Sequence, residues 1–208
     1  MKGDFVQIGS YSYDEYLHVV KSFHGNLAPG LIVGGFIVDL ALKNLPPGQY
    51  FDAICETSAC LPDAVQLLTP CTIGNGWLKI VDMGRFAITL FEKEKGEGIR
   101  VYLDLRKLNA WPKFHAWFFK LKPKKEQNFD ELMNEIKTAG ADVLSMQRVK
   151  VKPEYTKKKK LGKTTQCQSC DVSYPLRDGD ACLACQGRSP YVEGSFMEVK
   201  TEGVIYMA

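Results

Sequence analysis

Four of the seven cysteines stand at Cys167, Cys170, Cys182 and Cys185, in a C-x2-C-x11-C-x2-C spacing. Two cysteines two residues apart can bind one metal from a single tight turn. Two such turns supply the four thiolates of a tetrahedral structural zinc site. Pro175, Asp178 and Gly179, between the pairs, are the turn formers a short hairpin needs. The same knuckles suit rubredoxin-like iron or a redox dithiol pair, but structural zinc is the chemistry the spacing favours. So short a segment has almost no apolar core, so the metal would supply much of its folding free energy.

A second set of chemically capable residues lies nearer the N-terminus. His24 is followed at once by Gly25, where the chain must turn between two helices. A histidine at such a break suits a ligand or an acid/base group; the other reading is a ring that caps the last helix carbonyls. Cys60 immediately precedes Leu61-Pro62-Asp63, a helix start, where exposed N–H groups favour thiolate as nucleophile or metal ligand. Asp63 is either an ordinary helix-start charge or a partner for a ligand. Cys71 follows Cys60 by eleven residues. Most of that span is expected to be helix, which would separate the two sulfurs by roughly 15 Å. Cys55 reads as a buried thiol, and His18 and His115 as structural residues.

These residues need elements to hold them. Ser12 and Glu15 form a capping box, opening a helix to about Phe23. A second helix, from about Gly30 to Leu45, is apolar nearly all round, as a central core helix is; Pro46-Pro47-Gly48 stops it. Residues 50–57 alternate like a strand with one buried face. Pro62 starts a short helix over 61–68. Strands are expected at 77–82, 86–93 and 99–105, helices at 112–121 and 130–139, and a closing strand at 143–151. The order is neither a repeat nor a regular βαβ alternation. It points to an α+β fold, with helices packed on a mostly antiparallel sheet, followed by a small zinc-ribbon or treble-clef-like module.

The 208 residues are 45% hydrophobic, 11% aromatic and 25% charged, which excludes a disordered or fibrous chain. The net charge of +3 is unevenly spread: residues 1–147 carry −1, residues 148–163 carry +7, and residues 164–208 carry −3. The expected organisation is a core domain over 1–152, a basic linker over 153–165, and the zinc module with a tail over 166–208. The lysine run at 157–160 would suit phosphates, but no aromatic platform interleaves with it, so a solvated linker is the favoured reading. The longest apolar run, 28–38, falls short of a membrane span. Nothing near the N-terminus resembles a signal peptide, so the expected compartment is the cytoplasm.

FHGNLAPGLIVGG, ETSACLPDAVQLLTPCTIGNG, GRFAITLF and GIRVYLD, in that order, resemble the E-subunit family of formylmethanofuran dehydrogenase. Its members have an H-G-H-x-x-P-G loop, a C-x-x-D-A-x-Q helix start and a C-T-x-G-x-G loop, and many end in a four-Cys module. The resemblance implies a cleft around His24 and Cys60, lined by Asp63, Gln66, Cys71 and Thr72, in a metal-binding homodimer. The second histidine of the loop is here Asn26, so His24 and Cys60 are the obvious core ligands, with water, Asn26 or a partner group completing the set. The expected function is a metal-binding accessory protein. It would carry a structural zinc and a second transition metal (zinc, nickel or iron) or a small ligand, and would dock on a partner protein. The alternatives are a metal- or thiolate-dependent enzyme using Cys60 and His24, and a zinc-ribbon nucleic-acid binder.

Overall fold

The computed structural model describes residues 6–46, 50–157 and 162–192. The chain divides into two compact units, residues 1–158 and 159–208. Pro47-Gly48, Lys158 to Lys160 and the tail from 193 onward lie outside the described residues.

The first unit opens with a hairpin that the sequence does not announce, β1 (Gln7–Ile8) and β2 (Tyr11–Ser12). It leads into α1 (Tyr13–His24), whose capping box is formed as expected: Ser12 Oγ accepts the Glu15 N–H, and the Glu15 carboxylate accepts the Ser12 N–H at 2.8 Å. Gly25, at φ 82°, ends the helix by sending its N–H to the Lys21 carbonyl. The chain then enters α2 (Pro29–Lys43), buried continuously from Gly30 to Asp39. The Asp39 carboxylate accepts the Gly9 N–H at 3.0 Å and pairs with Lys43, which ties the hairpin to this helix.

The sheet follows in the order β4-β3-β5-β6-β7, with β3 (Phe51–Cys55), β4 (Leu78–Ile80), β5 (Ala87–Glu92), β6 (Glu97–Leu103) and β7 (Leu144–Lys150). Every pairing in it is antiparallel except β3–β4, which is parallel. A parallel neighbour needs a crossover, and α3 (Leu61–Leu68) lies in that connection, as Pro62 foretells. Between β6 and β7 run α4 (Leu105–Leu108), α5 (Pro112–Phe118) and α6 (Phe129–Ala139). A last turn, α7 (Pro153–Thr156), lies where the linker is expected to begin. The Val151 N–H bonds to the Gly96 carbonyl, and the Thr156 methyl lies 3.2 Å from where a Cβ on Gly96 would be, so this turn belongs to the first unit.

Ala53, Cys55, Ile88, Leu90, Val101 and Leu103 share one buried core with the residues of α2. The opposite side of β3 departs from the half-exposed alternation expected of it. Asp52 and Glu56 there are only 2% and 4% exposed. Lys79 and Lys93 pair with Asp52 at 3.3 and 3.2 Å, and Arg85 and Arg100 with Glu56 at 2.8 and 2.6 Å. Carboxylates buried this deeply persist only when paired.

The second unit is a hairpin of β8 (Thr164–Gln166) and β9 (Ser173–Pro175), so its structure begins within the segment assigned to the linker. Its buried apolar cluster is Cys167, Tyr174 and Cys182 with Ala181 against them. Among the described residues, no single helix is long and apolar enough to cross a membrane.

The contact that fixes α1 on α2 is unusually close. A Cβ on Gly35 would lie 2.5 Å from the Tyr16 ring, whose hydroxyl donates to the Leu31 carbonyl at 3.2 Å. Gly35→Ala is therefore expected to destabilise the first unit by about 1–3 kcal/mol in urea unfolding, as overpacking of a full core does. A variant as stable as the wild type would show that the two helices can separate freely.

Candidate metal centres

In the second unit the four sulfurs of Cys167, Cys170, Cys182 and Cys185 all lie within 4.8 Å of one another, with Cys170 and Cys182 at 3.6 Å. Tetrahedral zinc with ~2.3 Å bonds to sulfur sets sulfurs roughly 3.8 Å apart, so the cage fits the ion. Backbone N–H groups of Cys182 and Ser169 lower the Cys167 thiol to about 6. Hydrogen bonds with Cys170 and Cys182 push Cys185 up to about 12. Four sulfurs this close cannot all ionise without a cation among them, and a bound zinc ion supplies that charge. The Gln186 amide donates to the Asp178 and Ala181 carbonyls at 2.8 and 2.6 Å, fastening the second knuckle to the hairpin.

In the first unit, His24 is the last residue of α1 and Asp63 stands in the first turn of α3. Their side chains meet, with Nδ1 2.7 Å from Oδ2. A carboxylate on Nδ1 fixes the proton there and leaves Nε2 as the lone pair for a ligand. The His24 ring is thus held by a carboxylate from another helix.

Cys60 sits on strained backbone, at φ 55° and ψ −47°. The Leu61 N–H donates to the Ala59 carbonyl at 2.6 Å, so residue 60 is the centre of a γ-turn with positive φ. Such conformations cost on the order of 1–3 kcal/mol and persist where the surroundings over-determine them. The sulfur packs on the first turn of α2, 2.9 Å from where a Cβ on Gly30 would be. Phe86 closes the same spot and is held edge-on by Phe118, ring centres 5.8 Å apart. Nothing in the sequence spacing marks either phenylalanine.

The expectation of a lowered Cys60 thiol is overturned. Burial and the nearby Asp63 charge push it up. A helix start by itself favours thiolate, but this sulfur is packed among apolar groups and faces a carboxylate.

The other residues expected to line the cleft make hydrogen bonds of their own. Cys71 is fully buried, and its thiol donates to the Phe51 carbonyl at 3.5 Å. Gln66 Oε1 accepts the Ile73 N–H at 3.3 Å, and Thr72 Oγ1 accepts the Asn75 N–H at 3.1 Å. Asn75 Oδ1 in turn accepts the N–H groups of Thr72 and Trp77. These bonds shape the loop that leads into β4. Asn26 is exposed. Among the described residues, three or more metal-type donors converge only in the four-cysteine cluster. Asp63 is committed to the His24 imidazole, which leaves His24 and Cys60 as the two donors of the site expected from the sequence.

Residues 23–152 match the family described as FmdE, molybdenum formylmethanofuran dehydrogenase operon. The chain belongs to the FmdE family. Residues 158–192 match the FmdE treble clef zinc finger, which decides between the two module types expected. A crystal structure of a tungsten formylmethanofuran dehydrogenase FmdE-like protein from Syntrophus aciditrophicus is similar at 53% identity and a TM-score of 0.83. The likeness covers 89% of this chain and 98% of that one. A probable S-adenosyl-L-methionine-binding protein of Archaeoglobus fulgidus is 26% identical over an alignment of 188 positions that covers 80% of this chain. The chain spans about half (51%) of that relative's length.

Chelation of the treble clef zinc should expose the four thiols of the cluster to titration and collapse the second unit. The first unit should stay folded, because its core holds none of these cysteines. A coupled loss of both units on chelation would contradict this division.

Proposed function

We propose that this chain is an accessory metal-binding protein. Its treble clef carries a structural zinc, and its core domain presents an open site for a divalent transition metal at His24 and Cys60. The observation that carries the reading is the 2.7 Å pairing of His24 Nδ1 with Asp63, an arrangement that orients an imidazole toward a ligand. An imidazole and a thiolate suit zinc, nickel or iron. Two protein donors leave positions for water, for a small ligand, or for a group from a partner or a second copy of the chain. The treble clef serves as the docking element for that partner.

The enzyme reading would use the same two residues, with Cys60 as nucleophile. The upward push on its thiol speaks against that role. The nucleic-acid reading has little support from a body of net charge −1 over residues 1–147. Free elution from heparin at about 150 mM salt would dispose of it. The name of the Archaeoglobus relative makes S-adenosyl-L-methionine the first small ligand to offer.

Elemental analysis of untagged, anaerobically purified protein should find two metals per chain, one of them the zinc of the treble clef. His24→Ala and Cys60→Ala should each keep that zinc and lose the other ion. Asp63→Asn should weaken core-metal affinity by roughly 10–100-fold, the usual effect of removing the group that orients a ligating histidine. A single zinc per wild-type chain, with no uptake of added zinc, nickel or iron, would overturn the core-site reading.

A further inference from the structure

The core site depends on a sulfur held in one place, and the first turn of α2 decides where that place is. Gly30 has ordinary helical backbone, and alanine is the better helix former at such a position. The glycine is therefore not required by conformation; what the position needs is the absence of a Cβ. A Cβ there would lie 2.9 Å from Cys60 Sγ, 3.3 Å from Cys60 Cβ and 3.7 Å from the Phe86 ring. The helix cannot easily shift to make room. Pro29 starts it, and the N–H groups of Leu31 and Ile32 both bond to the Ala28 carbonyl, at 2.9 and 3.3 Å. On the other side, the γ-turn at residue 60 carries a side chain that lies against Gly30.

We propose that Gly30 is the positioning residue of the His24/Cys60 site: its missing Cβ is the seat of the Cys60 sulfur, and the strained turn holds the sulfur in that seat. The proposal deepens the metal-site reading and rests on it for its functional meaning, but the seating of the sulfur can be measured without any metal.

The test compares Gly30→Ala with Gly34→Ala in chains whose treble clef is loaded with zinc. A Cβ on Gly34 would meet Ala64 at 2.8 Å and Leu61 at 3.0 Å, so that variant stresses the same pair of helices without approaching the sulfur. Alkylation of Cys60 by iodoacetamide is followed by peptide mass mapping. Gly30→Ala should raise the Cys60 labelling rate by roughly tenfold or more as the sulfur leaves its packed seat, and Gly34→Ala should leave it near wild type. With added cobalt(II), the thiolate-to-cobalt absorption of the core site should be lost in Gly30→Ala and kept in Gly34→Ala. Wild-type labelling of Gly30→Ala would overturn the proposal. If the wild-type core takes up no cobalt or other metal, the metal-site reading fails, while the labelling comparison still decides the role of Gly30. Should Gly30→Ala fold poorly, the same substitution in a Cys60→Ala background gives the answer. There the loss of melting temperature should largely disappear, because the clashing sulfur is gone; an equal loss in both backgrounds would overturn the proposal.

Discussion

The close approach of α2 to its neighbours at Gly30, Gly34 and Gly35 is the constraint around which the first unit is arranged. A helix apolar on every side must be covered on every side, and coverage at this range requires positions without a Cβ. Gly35 receives the Tyr16 ring of α1, Gly34 receives Leu61 and Ala64 of α3, and Gly30 receives Cys60 at the head of α3. Two helices far apart in sequence are thereby pressed on one surface. Their ends come together as a consequence, so that His24 at the close of α1 meets Asp63 in the first turn of α3, 39 residues away. The pairing is a product of core packing as much as of its own hydrogen bond.

The charged face of the sheet supports the same corner from the other side. Glu56 directly follows β3 and leads into the turn at Cys60. Its carboxylate is held by Arg100, two strands away on β6, and by Arg85. Its carbonyl accepts the N–H groups of Met83 and Arg85 at 2.9 and 3.1 Å, and two residues on, Ser58 donates to Asp82 at 2.7 Å. Strained backbone survives where its flanks have no freedom to relax it. This network fixes the upstream flank, and the packing of α3 on α2 fixes the downstream one. Glu56 thus helps to hold the backbone turn at Cys60 in place.

Some of this is plain in the sequence, and the rest is concealed there for identifiable reasons. The start of α1 and the position of α3 are legible because Ser12, Glu15 and Pro62 act through neighbouring backbone, which a linear reading can follow. The burial of α2 is legible from its composition. The parallel pairing of β3 with β4 is not, because neighbours in a sheet are chosen by connection geometry rather than by residue pattern. The double-sided burial of β3 is hidden for a related reason: Asp52 and Glu56 read as solvent-facing until the cations that cover them are known. In the site, His24 and Asp63 stand out by their places at helix ends, and the fold brings their side chains together. The state of Cys60 is misread from the helix start alone, because burial and a carboxylate outweigh that one influence. Gln66 and Thr72 stand close to a motif in sequence, and their hydrogen bonds turn out to shape the loop itself.

The treble clef and the proposed core site differ because the two units differ in what holds them together. Among the described residues, the treble clef has three buried apolar side chains, two of them ligand cysteines, so its metal cage and its core are nearly the same atoms. A centre of that kind must be closed: an open position would let water compete for the interaction that keeps the unit folded. The first unit owes its fold to α2, the sheet and the buried ion pairs, and none of these needs a metal. The donors of the proposed site are consequently free to be few, to sit at the ends of helices rather than inside the core, and to leave coordination positions open. The proposed division of labour follows, with a zinc that stays in place for the sake of structure and a core metal that can be acquired and given up without unfolding the domain that holds it.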